Sequence, residues 1–488
     1  MFVKGDRKAN FTPIQFYLDR DLDVSAAENI VSVSATARTL EIEPMQGEAR
    51  IGYRVTYKVI YTSGEEFASF EDSYEYTAEI KSADITPKSF VDATSNVIAT
   101  EFVGVTRLKV RLMLEIKGYA IVPSGFDTME CTEGLCCKTT SVKVEHIEPL
   151  SGSEILVEGV EKLGDKVEKV LTSDSVVCIN YVSTATEICE IKGVCYTYLT
   201  YISDGKIGYG TLSAPFEAQV LAPSVTEKDS AYFTPTVVSS GVSVTDTDQG
   251  SEVKTETVVS VKGFAVSASE AEIIVDAYSK ENDIRLEYAH AVVEDNECVI
   301  SSHEKFVGAL PVDAGEAGMR NLLFIGAPWI GACNARFEEG LTVEGIVGAE
   351  IVYADNEGKT GRALAEIPYR FVLGGEFACR SSITASAVVT SINARIRPGD
   401  TVELSGELCV EIHGSGDREI KYVASYEVLC PKEISDAAIS LYLVGEGETL
   451  FDVAKELNSD EEELMALNPE LELPLKRGDK VLLYRPLD

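Results

Sequence analysis

The chain has 488 residues, 45% apolar and 25% charged, enough to bury several cores and too apolar for wholesale disorder. At roughly 100–200 residues per domain, this length suggests about three to five domains. With 80 acidic side chains against 43 basic, the net charge is −37. That balance argues against nucleic-acid binding, which needs Lys and Arg to neutralise phosphates, and against an anionic membrane surface.

Residues 1–20 mix Lys4, Asp6, Arg7 and Lys8 with isolated apolar residues and hold no continuous apolar core of a secretory signal. The longest weakly polar stretch, 321–332, is too short to cross a bilayer. A soluble, intracellular chain is expected, with no direct membrane insertion. The 11 cysteines are irregularly spaced, and without export they are expected to be reduced thiols buried as small hydrophobes. Cys131, Cys136 and Cys137 cluster, but they lack the matched second half of a structural zinc site. No metal site and no cofactor are expected.

Taken in chain order, one pattern occurs three times. Gly52 opens the alternating run Tyr53, Val55, Tyr57, Val59 and Tyr61, which turns at Gly64 and leads to Tyr76. Gly193 opens the second run, which turns at Asp204-Gly205 and leads to Pro215-Phe216. Gly345 opens the third, which turns at Gly358 and leads to Pro368-Tyr369. The first glycine stands 12 or 13 residues before the second, and the aromatic 11 or 12 after it. A closing element ends in Gly118, Gly263 and Gly414. Period-two alternation is the signature of a half-buried strand, and Asp-Gly supplies the positive φ of a tight hairpin. The prolines suit an edge strand or a strand start. Each copy therefore reads as a small antiparallel β domain, a sandwich with its aromatics in the core.

Between copies, 123–139 reads as a linker and 294–303 as a polar turn between strands. Residues 312–323 read as a short helix leading to the single tryptophan, Trp329, an expected domain-interface anchor. After Pro431 the pattern changes. Residues 442–444 form a short strand, and Thr449 with Asp452 offers a helix cap. Leu450, Val453, Ala454 and Leu457 follow at helical spacing. Ser459 and Glu462 open a second helix carrying Leu464 and Leu467, which stops at Asn468-Pro469. Residues 481–484 close the module as a strand. The fold class expected is mainly β: three tandem antiparallel sandwich-like repeats over 1–125, 138–272 and 273–432, then a βααβ module over 440–488.

That module resembles the LysM family over 442–486. The residues that carry the likeness are Tyr442/Val444, Gly447-Glu448-Thr449-Leu450, Val453-Ala454, Leu464 to Leu467 with Asn468-Pro469, and Gly478-Asp479. Glu448 and Asp479 depart from the family's usual Asp and Gln. The resemblance implies a groove for N-acetylglucosamine chains between two loops, here Gly447, Glu448, Thr449 and Leu450, and Asn468, Pro469, Glu470 and Leu471. These residues equally cap and end helices. The strand-glycine, turn-glycine and Pro-aromatic repeats followed by a LysM resemble the SPOCS-domain spore-envelope proteins of endospore-forming clostridia. In that family the LysM docks onto the sporulation ATPase of the coat basement layer, on the mother-cell cytosolic side of the forespore.

Four histidines (146, 290, 303 and 413), none in a hydrolase or zinc-protease motif, leave little acid–base material. No catalytic residue is assigned, and the chain is not expected to be an enzyme. The function expected is a non-catalytic scaffold of spore-coat assembly. The alternatives are a protein that binds peptidoglycan strands through the LysM groove and a wall hydrolase. Residues 441–488 hold 12 acidic and 5 basic side chains, a charge better matched to a basic protein surface than to an anionic wall.

Overall fold

The computed structural model describes residues 1–338, 340–374, 382–433 and 439–484, apart from the side chains of 151, 295–300 and 382. Cys379 and the thiol of Cys298 therefore lie outside the described residues. The chain is mainly β and its sheets are antiparallel.

The first unit follows a short strand β1 (Phe2–Val3). It comprises β2 (Asp6–Asn10), β3 (Ile14–Asp23), β4 (Asn29–Met45), β5 (Glu48–Ser63), β6 (Glu66–Lys81), β7 (Phe90–Val103) and β8 (Arg107–Pro123). One sheet is β4-β5-β6; the other gathers β2, β3 and β7 about β8. Tyr53, Val55, Tyr57 and Val59 of β5 are buried against Leu108, Val110, Leu112, Leu114 and Ile116 of β8 in one core. This is the alternation read from sequence, with its aromatics inside.

After β9 (Phe126–Asp127), the second unit holds β10 (Leu135–Leu163), β11 (Lys169–Ala185), β12 (Ile188–Ser203), β13 (Lys206–Leu221), β14 (Ser230–Thr247) and β15 (Gly250–Ser279). Its sheets are β10-β15-β14 and β11-β12-β13. The third unit holds β16 (Asn282–Pro311), β17 (Met319–Ile325), β18 (Trp329–Phe337), β19 (Leu341–Asp355), β20 (Thr360–Leu373), β21 (Ser382–Arg397) and β22 (Thr401–Pro431). Its sheets are β16-β22-β21 and β17, β18 and β20 about β19.

The units repeat one topology in detail. The strands β7, β14 and β21 each carry one extra residue at the same step of the ladder, Ile98, Val238 and Thr390. Counted from that bulge, Gly118 and Gly263 correspond to Ile412 rather than to Gly414. The hairpin turns behave as read: Asp204 (φ 48°) and Gly205 (φ 68°) both take positive φ between Ser203 and Lys206. Gly193 and Gly345 lie directly opposite Phe216 and Tyr369, whose rings fill the space that a Cβ would need. The prolines sit on β13 and β20, which each pair on one side only.

Four expectations are corrected. The stretch 294–303 is no turn, because β16 runs through it with a bulge between Asn296 and Cys298. Residues 312–323 form no helix: Gly315 and Gly318 take positive φ, and the chain enters β17. The linker over 123–139 contains β9 and the start of β10. The boundary expected at 272/273 falls inside β15, whose ladder with β10 continues to Leu135↔Ser279.

Each unit touches both others. The first and second meet at the Lys58–Asp174 ion pair (2.6 Å). The third and first meet where Ser32 donates to buried Glu350, and where Arg362 lies 3.7 Å over Phe102. The second and third meet where the Tyr198 hydroxyl donates to the Val389 carbonyl. All three join in one apolar cluster to which each unit gives two residues: Val31 and Ile60, Leu171 and Ile202, Phe324 and Val352. Beyond this ring, β10–β15 and β16–β22 project as two ribbons some 15 residues long, or about 50 Å. They pack together through Val142, Val144, Ile273, Ala291, Val293, Ile420 and Tyr422.

The C-terminal module is β23 (Ile439–Leu443), α1 (Leu450–Leu457), α2 (Glu461–Leu467) and β24 (Lys480–Tyr484), with β23 paired antiparallel to β24. Thr449 caps α1, and its N–H donates to the Asp452 carboxylate (2.8 Å). The second cap is one residue later than read: Asp460 accepts from the Glu463 N–H (2.7 Å), and Ser459 turns to the Glu463 carboxylate.

Candidate docking module and central chamber

The module's core is Val444, Leu450, Phe451, Val453, Ala454, Leu464, Val481 and Leu483, closed by Tyr278 from the ribbon tip. Tyr278 is 3% exposed, stacks edge-on against Phe451 at 5.2 Å and donates to the Ser459 carbonyl (2.6 Å). Charge fixes the same face. Lys455 pairs with Asp276 and Lys280 with Asp460, both at 2.7 Å, and Lys138 reaches Thr449 (3.2 Å) and Asp452 (3.3 Å). Lys280 holds the Asp460 carboxyl below its ordinary range.

The eight residues read as a groove have distinct fates. Gly447 is exposed, with φ 80° that a side chain would strain. Glu448 accepts from the Tyr442 hydroxyl (2.9 Å) and the Gly445 N–H (2.7 Å), so both its oxygens are engaged. Thr449 is the helix cap already reached by Lys138, and Leu450 is core. Asn468 is 0% exposed; its amide donates to the carbonyls of Leu464 (2.8 Å) and Leu482 (2.7 Å) and accepts the Leu482 N–H (2.8 Å). Pro469 and Glu470 are exposed, and Leu471 packs on the edge of the core. Leu450 and Leu471 thus tie both loops to one core, while the polar atoms of Glu448 and Asn468 are spent on holding the module together.

The free surface of the module is elsewhere. Ile439 (62% exposed), Leu441 (57%) and Leu443 (60%) alternate along one face of β23, with Tyr484 (47%) across the ladder from Ile439. Four large apolar side chains on one exposed ribbon face are more than scattered surface apolarity.

A second candidate lies inside the ring, where β4, β7, β11, β14, β18 and β21 line a half-open chamber of about 1760 Å³. Its wall is rich in Ser and Thr and includes Trp329, whose indole N–H finds no partner among the described residues. Trp329 lies against Gly348 on the neighbouring strand. At one end Lys8, Asp92, Glu411 and His413 converge from the first and third units. Burial pulls the Lys8 amine down to about 8 against the pull of Glu294, Asp92 and Glu411, and it rests 4.4 Å over the Tyr119 ring. Burial raises the Asp92 and Glu294 carboxyls and lifts Glu411 to about 7. Burial, with Lys8 nearby, lowers His413 to about 3; it is packed edge-on to Tyr232 and its Nε2 has no partner among the described residues. Nothing in the sequence marks this cluster, because its members come from separate units and each sits in an ordinary strand.

The thiols also depart from expectation. Cys178 of β11 and Cys409 of β22 form a disulfide across the second and third units, 231 residues apart in sequence. Cys131, Cys136 and Cys137 are free, and among the described residues no ligand set forms around them; burial pushes the Cys137 thiol up to about 12. Cys136 instead packs against the module core.

No protein-family model, curated protein or solved structure matches the chain. Its own geometry and the resemblance read from its motifs are what bear on function.

Proposed function

We propose that the chain is a non-catalytic scaffold of spore-envelope assembly, built of SPOCS-like repeats, that docks through a LysM-like C-terminal module to a protein of the coat basement layer. By resemblance that partner is the sporulation ATPase, and the place is the mother-cell side of the forespore surface. The observation that carries a protein partner over a glycan is the division of labour within the module. Glu448, Thr449 and Asn468 of the loops are already engaged, whereas the Ile439, Leu441, Leu443 and Tyr484 side chains are apolar and open. The module as a whole carries 12 acidic against 5 basic side chains over 441–488, a balance that suits a partner with an apolar patch set in a basic surface. The ring and the ribbons supply a rigid spacer that holds the module about 50 Å away from the ring.

The test is a fluorescent fusion lacking residues 441–488, imaged in sporulating cells. The account expects loss of forespore localisation with the β units still folded; normal localisation would remove the docking role. Retention of the full chain on purified peptidoglycan at physiological salt would favour the glycan reading.

A further inference from the structure

We propose that, once the Cys178–Cys409 disulfide is reduced, the junction of the second and third units binds a thiophilic divalent metal such as Zn(II), through Cys178, Cys409 and His303. His303 on β16 lies directly across the ladder from Cys409 on β22. Cys178 reaches the same point from β11, and the ligand atoms of the three residues lie within 4.8 Å of one another. The imidazole is already oriented. Its Nδ1 sits 3.2 Å from the Glu407 carboxylate, leaving Nε2 towards the Asn180 Oδ1 at 3.1 Å. That same oxygen is 3.1 Å from the Cys178 sulfur and 4.0 Å from the Cys409 sulfur. Asn180 is the extra residue of a bulge between Ile179 and Tyr181, the kind of irregularity that re-aims a side chain out of the ladder.

A disulfide needs none of these neighbours. A metal site needs all of them: two thiolates, an imidazole nitrogen, an oxygen donor to complete four-coordination, and a carboxylate fixing the tautomer from the second nitrogen. The sulfur-rich donor set with one imidazole selects zinc over hard cations such as Mg(II) or Ca(II). With Zn–S bonds of about 2.3 Å, tetrahedral geometry separates the two sulfurs by about 3.8 Å, so metal and disulfide exclude each other. The exchange balances. A dithiol reductant gives two electrons and two protons to the disulfide and becomes a disulfide itself. The metal then displaces the two thiol protons and bridges the units in place of the S–S bond. Cys178 and Cys409 line the chamber and His303 is 34% exposed, which gives an ion access from either side.

The experiment uses the full chain, reduced with a phosphine, stripped of metal and titrated with Co(II) as the spectroscopic probe. The expected result is one equivalent with thiolate-to-Co(II) charge-transfer absorption and the strong visible bands of tetrahedral cobalt, both displaced by Zn(II). Cys178→Ser and Cys409→Ser each abolish the absorption. His303→Ala and Glu407→Gln, which keep both thiols, weaken binding by about 10–100-fold. Trp329 fluorescence and far-ultraviolet dichroism verify that each variant is folded. No charge-transfer band in the folded, reduced wild type overturns the proposal. So does a band that survives Cys178→Ser or is untouched by His303→Ala, since the metal would then sit on other thiols.

Discussion

Replacing Asn468 by alanine separates a structural residue from a ligand-binding one. The side chain makes three hydrogen bonds of 2.7–2.8 Å at 0% exposure, tying the end of α2 to β24. Alanine leaves the Leu464 and Leu482 carbonyls and the Leu482 N–H without these partners. A buried group stripped of its partner costs about 1–3 kcal/mol, so with some water entering the cavity the total is about 3–5 kcal/mol. A module of this size has little stability to spare. Hydrogen exchange on the full chain should show peptides over 464–484 exchanging about 150–5000-fold faster, with the β units unchanged. Unchanged protection together with lost partner or glycan binding would refute the structural assignment and return Asn468 to an interface.

Other consequences follow from contacts between units. Reducing the Cys178–Cys409 disulfide in metal-free buffer releases a loop of 231 residues, a loss of up to about 5 kcal/mol in the chain-entropy account. It should be visible as a lower guanidinium midpoint, and an unchanged midpoint contradicts the tie. Asp174→Asn removes the counter-charge of the Lys58 amine, which is 11% exposed beside a 10% exposed partner and keeps its bond to the Ser173 carbonyl. A loss of about 3–5 kcal/mol is expected, and a melting temperature equal to wild type would show that this contact does not hold the ring. His413 has its folded pKa depressed to about 3 from an unfolded value of 6.5. The unfolded state therefore binds the extra proton between these values, and stability falls as pH drops below about 6.5. Allowing for solvent in the chamber, the loss is about 1–2 kcal/mol at pH 5. Asp92, Glu294 and Glu411 titrate in the opposite sense, so the reading is the difference between wild type and His413→Gln across pH, which should slope over this window and not stay flat.

Much of the fold was legible because it is written locally. Alternation at 53–61 marks a half-buried strand wherever it occurs, Asp204-Gly205 admits few conformations, and a glycine opposite an aromatic leaves a spacing that repeats. The module was legible for the same reason, since caps, helical spacing and Asn-Pro all act within a few residues. The read fails where pairing over long distances decides. The strand through 294–303 is a polar sequence held in the ladder by β22, and β15 passes the expected boundary because β10 accompanies it. The apparent match of Gly414 to Gly118 was a local likeness that the bulge in β21 shifts by two residues. The chamber's charged end and the Cys178–His303–Cys409 group could not be read, because each takes residues from two units and no short motif joins them. Of the residues read as a groove, Leu450 begins α1 and packs in the core, and only the hydrogen bonds show that Asn468 and Glu448 serve the module itself.

The most direct test of the docking claim is the double substitution Leu441→Glu and Leu443→Glu in a full-length fluorescent fusion followed through sporulation. Both side chains point to solvent from β23, so the module should stay folded, as hydrogen exchange over 450–484 would verify. The account expects the folded variant to leave the forespore surface and disperse in the mother cell. A folded variant that still encircles the forespore would contradict it.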